Sequence, residues 1–110
     1  MDYTRIIVDE PAEGVRRITL NNPEKRNPLG ATMRREIISA LRAHDDDDTV
    51  RVTIIRGAGP CFSAGYDLTG GATDDEPPAY KSASGLGSYP REVTETWMSI
   101  WDLAKPVIAQ

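Results

Sequence analysis

Two β-branched runs lie on either side of one helical repeat: Val15-Arg16-Arg17-Ile18-Thr19-Leu20 before it and Val50-Arg51-Val52-Thr53-Ile54-Ile55 after it. Strands joined through a helix make a βαβ unit, whose crossover is right-handed in nearly all cases. A preceding run, Ile6-Ile7-Val8, is separated from Val15 by Pro11-Ala12-Glu13-Gly14, which are turn residues at hairpin spacing. The first two strands are therefore expected to be antiparallel and the sheet mixed.

The helix is expected from Thr32, because Met33, Ile37, Ala40, Leu41 and His44 recur at spacings of three and four residues, while Arg34, Arg35, Ser39 and Arg42 fall mostly elsewhere on the wheel. Asp45-Asp46-Asp47-Asp48 should end it, since aspartates oppose the macrodipole at a helix C-terminus. The run reads as a solvated helix exit. It lacks the Gly-containing pattern of a calcium loop. His44 reads as a helix-end cation or a surface polar group.

A second helix is expected from Pro90 to about Leu103, with Val93, Trp97, Ile100, Trp101 and Ala104 on one face, packed on the core or on another subunit. Before it, residues from about 69 to 89 carry Gly-Gly, Pro-Pro, Asp74-Asp75-Glu76 and several serines. So long a polar connector predicts a mobile segment or an active-site lid. Lys105-Pro106-Val107-Ile108-Ala109-Gln110 starts an apolar strand. The expectation is that the chain is the N-terminal portion of a longer domain.

With 13 Lys plus Arg against 17 Asp plus Glu, the net charge of −4 gives no global field to attract nucleic acid or an anionic membrane. The N-terminus lacks the basic start and apolar core of a secretory signal, so a cytoplasmic address is expected. Cys61 and His44 are the only residues of their types, which leaves no zinc-ligand spacing, and no metal is expected.

The chemically suggestive stretch is Gly57-Ala58-Gly59-Pro60-Cys61-Phe62-Ser63-Ala64-Gly65-Tyr66-Asp67-Leu68. It is not a Walker loop, because Tyr66-Asp67 stands where Lys-Ser/Thr would follow the last glycine. Nor is it a dinucleotide fingerprint, because Phe62 occupies the place of the third glycine. Cys61 has no sequence sign of a base beside it and reads as a small buried residue after a strand. What remains is the backbone. A turn at Gly65 either simply reverses the chain or presents an N–H to a cleft, where it would suit an acyl oxyanion.

Taken together, Asn21-Asn22-Pro23-Glu24-Lys25-Arg26-Asn27-Pro28-Leu29, the helix, the strand Val52 to Arg56, Gly57-Ala58-Gly59, Phe62 to Leu68 and Lys105 to Ala109 resemble the crotonase family of enoyl-CoA hydratases and isomerases. The resemblance covers essentially the whole chain. It implies an α/β fold, a crotonase-like ββα spiral incomplete in this chain, with residues 1–110 the N-terminal part of a single domain. It also implies an enzyme that adds water to a 2-enoyl-CoA thioester, or a sibling isomerase, hydrolase or carbon–carbon lyase. No cofactor is needed, since coenzyme A belongs to the substrate, and the full-length protein should be a homotrimer or hexamer.

On the same footing, the Tyr66 backbone N–H is the first oxyanion-hole donor. Lys25, Arg26, Pro28, Ala64, Gly65, Tyr66, Asp67 and Leu68 line the substrate site. The second donor and the acid/base carboxylates of the family fall beyond Gln110, and Asp67 and the Asp74-Asp75-Glu76 group match none of them. Tyr66 is bulky where common hydratases carry alanine, and Pro28 replaces an alanine and so lacks an N–H. Two other readings stand beside this one: a non-catalytic acyl-CoA-binding or assembly module, and loops that are only turns, with Lys25 and Arg26 as solvated cations.

Overall fold

A computed structural model of the chain describes residues 2–66 and 88–110. Strands β1 (Ile6–Ala12) and β2 (Val15–Leu20) form an antiparallel hairpin. Helix α1 (Ala31–Asp46) carries the chain over to β3 (Val52–Gly57), which pairs parallel with β2. Helix α2 (Ser88–Trp101) precedes β4 (Val107–Ala109), which pairs parallel with β3. The sheet order is β1-β2-β3-β4, the mixed α/β arrangement that the order of runs dictates.

Register places Ile6 opposite Leu20, Val8 opposite Ile18 and Ile18 opposite Ile55, so one face of the sheet is a continuous apolar surface. Met33, Ile37, Ala40 and Leu41 of α1 pack with it, each at most 2 per cent exposed. Each buried Ile or Leu contributes roughly 1.5–3 kcal/mol, so this layer contact is the main stabilising term of the chain. Alternate strand residues point to the other face, where Ile7 and Ile108 are about half exposed and the Thr19 hydroxyl accepts from Arg56 Nε at 3.0 Å.

Five local expectations change. The hairpin turn is only Glu13-Gly14, because β1 runs on to Ala12, and the register shift between Asp9 and Ala12 takes up Pro11 at a bulge, where no ladder N–H is required. Helix α2 begins at Ser88, two residues before Pro90, and so claims the end of the expected lid; residues 69–87, with Asp74-Asp75-Glu76, lie outside the described residues. Trp97 and Ile100 pack on the core and Leu103 follows them, leaving Trp101 83 per cent exposed and Ala104 exposed as well.

The aspartate run is the fourth. Asp46 and Asp48 are solvated, but Asp45 accepts the N–H groups of Ala104 (3.3 Å) and Lys105 (3.0 Å), and Asp47 accepts from the Thr49 N–H (2.9 Å) and hydroxyl (2.7 Å). Lys105 Nζ in turn donates to the carbonyls of His44 and Asp47. The end of α1 thereby holds the approach to β4.

His44 is not a surface cation. It is buried, with Nδ1 3.0 Å from the Thr53 hydroxyl. Burial holds its pKa below the ordinary value, helped by the Arg16 and Lys105 charges and opposed by Asp47. As pH falls, the unfolded chain takes this proton before the folded one does. The neutral imidazole's contribution is therefore complete above about pH 6.5 and is lost as pH falls through the folded-state pKa. Urea midpoints should therefore drop as pH falls below about 6.5, the ordinary value of an imidazole. His44→Gln should shrink that drop; an equal drop in the variant would show that His44 is not its source.

Candidate functional site

Two loops meet at the carboxyl ends of the parallel strands β2 and β3: residues 21–29 after β2 and residues 58–66 after β3. The first begins with a 3₁₀ turn, Pro23–Lys25, started by a proline whose fixed φ suits the first helical position. Arg26 and Asn27 then take left-handed backbone, at φ 62° and 53°. That conformation costs a residue with a Cβ about 1–2 kcal/mol, so something else must hold it.

What holds it is the Asn27 side chain, which is fully buried. Its Oδ1 accepts the Asn22 N–H at 2.8 Å. Its Nδ2 donates to the Ala58 carbonyl at 2.9 Å and lies 3.1 and 3.2 Å from those of Cys61 and Phe62. An amide nitrogen has two protons, so with three acceptors one proton is shared between two of these oxygens. The Asn27 carbonyl accepts the Ser63 hydroxyl at 2.7 Å, and that hydroxyl accepts the Gly65 N–H at 3.0 Å. One side chain thus organises both loops.

Gly57 lets the second loop close. A Cβ there would lie 2.3 Å from the carbonyl oxygens of both Cys61 and Phe62, far inside van der Waals contact. Beyond it the loops pair by main chain: the Ala64 N–H donates to the Arg26 carbonyl at 2.8 Å, and the Leu29 N–H to the Gly65 carbonyl at 2.8 Å. Pro28, which has no N–H, sits between these two bonds and is needed for neither.

The second of these bonds sets the direction of a peptide plane. The Gly65 carbonyl and the Tyr66 N–H belong to one peptide plane, and in a trans peptide they point in opposite directions. Holding the carbonyl toward Leu29 aims the Tyr66 N–H away from the loop. Gly65 reaches this orientation with φ at 93°. Among the described residues the Tyr66 N–H has no hydrogen-bond partner, whereas the N–H groups of Ala64 and Gly65 are both engaged. A donor aimed in this way can receive an oxygen that gains negative charge during a reaction.

The remaining sequence-based candidates fall around this donor. Lys25 and Arg26 are exposed on the first loop, Pro28 is half-buried, Ala64 is exposed, and Gly65 and Tyr66 are half-buried. Asp67 and Leu68 lie outside the described residues. Cys61 is half-buried rather than buried, its Sγ 3.8 Å from the Arg26 carbonyl, because its main chain is turned inward to Asn27. With His44 bonded to Thr53, the two residues do not form a nucleophile–base pair.

Sequence reasoning passed over two residues. Asn27 looked like one more loop asparagine, and Arg34 looked like the polar side of a helix. Arg34 is 9 per cent exposed; it donates to the Leu29 carbonyl at 2.7 Å and lies 4.9 Å from the centroid of the Tyr66 ring.

Residues 10–110 match the family model described as enoyl-CoA hydratase/isomerase. The chain is 37 per cent identical to the mitochondrial enoyl-CoA hydratase domain-containing protein 3 of Danio rerio, across 98 per cent of this chain and 35 per cent of that protein. It is 30 per cent identical to the mitochondrial Delta(3,5)-Delta(2,4)-dienoyl-CoA isomerase of Mus musculus, across 98 and 34 per cent respectively. Among solved structures, an enoyl-CoA hydratase/isomerase from Xanthobacter autotrophicus Py2 superposes with a TM-score of 0.80 at 38 per cent identity, covering 98 per cent of this chain and 38 per cent of that one. The chain spans about a third of the length of each of these three proteins.

Asn27→Ala should lower the unfolding free energy by about 2–4 kcal/mol, since it strands buried main-chain groups in both loops. Asn27→Asp, the same size but with no amide donor for the Ala58, Cys61 and Phe62 carbonyls, should cost at least as much. Urea denaturation measures both, and a change under about 0.5 kcal/mol in either would show that the loops do not depend on this amide.

Proposed function

Since the chain belongs to the enoyl-CoA hydratase/isomerase family, we propose that its protein is an enoyl-CoA hydratase, adding water across the double bond of a 2-enoyl-CoA thioester. The observation that carries this reading is the Tyr66 N–H, aimed outward by the Leu29–Gly65 hydrogen bond. When water attacks the β-carbon and yields a proton to a base, the double-bond pair shifts to the bond between the α-carbon and the carbonyl carbon, the carbonyl pair moves onto the thioester oxygen, and the resulting enolate takes up a proton at the α-carbon. A fixed N–H bonds that oxygen more strongly in the transition state than in the ground state, so it accelerates the reaction and does not merely bind substrate. One such donor is worth about 3 kcal/mol, or roughly a hundredfold in rate.

Lys25 and Arg26 are the phosphate partners in this reading. Both are exposed on the same loop as Leu29 and would meet the polyanionic end of coenzyme A while its thioester lies at Tyr66. Pro28, Ala64 and Gly65 would line the path between, with Asp67 and Leu68 following Tyr66. Coenzyme A is then part of the substrate and no further cofactor is called for. The reading carries with it a homotrimer or hexamer in the cytoplasm.

An isomerase of the same family is the second reading, supported by the dienoyl-CoA isomerase among the relatives. The donor serves both reactions equally, because both pass through charge on the same thioester oxygen. A non-catalytic acyl-CoA-binding module would need the donor only for binding.

The full-length protein should consume crotonyl-CoA with loss of the conjugated enoyl absorbance. Tyr66→Pro, which deletes the N–H, should cut kcat at least about a hundredfold. Lys25→Ala should raise KM several-fold and leave kcat near its starting value. Binding of crotonyl-CoA without turnover would favour the module, double-bond migration without hydration the isomerase, and no binding would remove all three.

A further inference from the structure

We propose that the Tyr66 side chain is a positioning element for its own main-chain N–H, clamped between Arg34 and the indole of Trp97. The inference rests on the reading that this N–H receives the thioester oxygen.

Beyond the bonds that Ser63 and Leu29 make to Gly65, little restrains the turn. Gly65 has no Cβ, and one built there would meet nothing within 4 Å, so the chain is sterically free on that side. The hydrogen bond from Leu29 to the Gly65 carbonyl fixes one end of the peptide plane. One bond sets a direction but leaves rotation about it. A second anchor has to act on the Tyr66 side.

That anchor is the phenol ring. Arg34 Cζ lies 4.9 Å from its centroid, a cation–π distance, and the Trp97 Nε1–H donates to the Tyr66 hydroxyl. Both partners are themselves held. Arg34 is 9 per cent exposed and its Nη1 donates to the Leu29 carbonyl at 2.7 Å, so one guanidinium touches both residues that orient the peptide. A planar guanidinium can stack and donate in a fixed direction at once, which an ammonium cannot. Trp97 packs against the core from α2. The donor is thus braced from the start of α1, from α2 and from the facing loop. The bulk of Tyr66 has a use in this arrangement: an alanine could reach neither partner.

The test uses the full-length protein with crotonyl-CoA and the variants Tyr66→Phe, Trp97→Phe and their combination. Each single variant should lower kcat about tenfold with KM within about twofold, and the double variant should be no worse than the poorer single, because both remove the same bond. Hydrogen exchange of the Leu29 amide should speed up about tenfold in each variant while the amides of β3 keep their protection. A rise in KM at constant kcat would overturn the proposal by making the hydroxyl a substrate contact. Losses that multiply in the double variant would also overturn it, as would unchanged Leu29 exchange. Should Trp97→Phe loosen β3 as well, Tyr66→Phe, which deletes a single oxygen, decides alone. If the unsubstituted protein neither binds nor turns over crotonyl-CoA, the functional reading fails on its own, and Leu29 exchange still decides whether the ring orients this peptide.

Discussion

The site depends on one buried amide. Asn27 forms a left-handed corner in the first loop and uses its side chain to gather three carbonyls of the second. An unpaired buried carbonyl costs about 1–3 kcal/mol, so the second loop could not turn its main chain inward without that donor. Gly57 supplies the complementary condition, the space into which the loop folds. With both in place the loops can pair as short strands do, and the Gly65 carbonyl gains a fixed partner in the Leu29 N–H.

The layout of the sheet explains why the loops meet at all. Parallel neighbours end on the same side, so the segments leaving β2 and β3 emerge together, and in open α/β sheets such carboxyl ends are where ligands bind. Helix α1 packs its apolar stripe on the sheet and brings Arg34, in its first turn, up to the Leu29 carbonyl. At the other end of the same helix, Asp45, His44 and Lys105 tie down the approach to β4. One helix therefore serves the candidate site with its N-terminal turn and the sheet edge with its C-terminal turn.

Elements defined by periodicity were legible in the sequence. The runs at Val15, Val52 and Val107, and the apolar stripe from Met33 to Leu41, alternate or repeat because burial on one face demands it. Features defined by single contacts were not. Proline at 28 argues that the residue before it should be extended, yet Asn27 is left-handed, because its side-chain bonds outweigh a local preference. His44 continues the apolar stripe, and its position on the helix outweighs the polarity of its residue type. The aspartates looked interchangeable, and only the arrival of residues 104 and 105 distinguishes Asp45 from Asp46. The family was legible from the two loops taken together, while the reason that they work together lies in Asn27, Gly57 and Arg34.

The loops grip each other almost wholly through main-chain atoms and one internal asparagine. Lys25, Arg26 and Ala64 are exposed on that framework, and among the described residues their side chains do not help to hold it. Sequence change at these three positions is therefore uncoupled from the geometry of the donor peptide. A lineage built on this framework can exchange these outward side chains one at a time, with little loss of folding stability, while the N–H stays where it is.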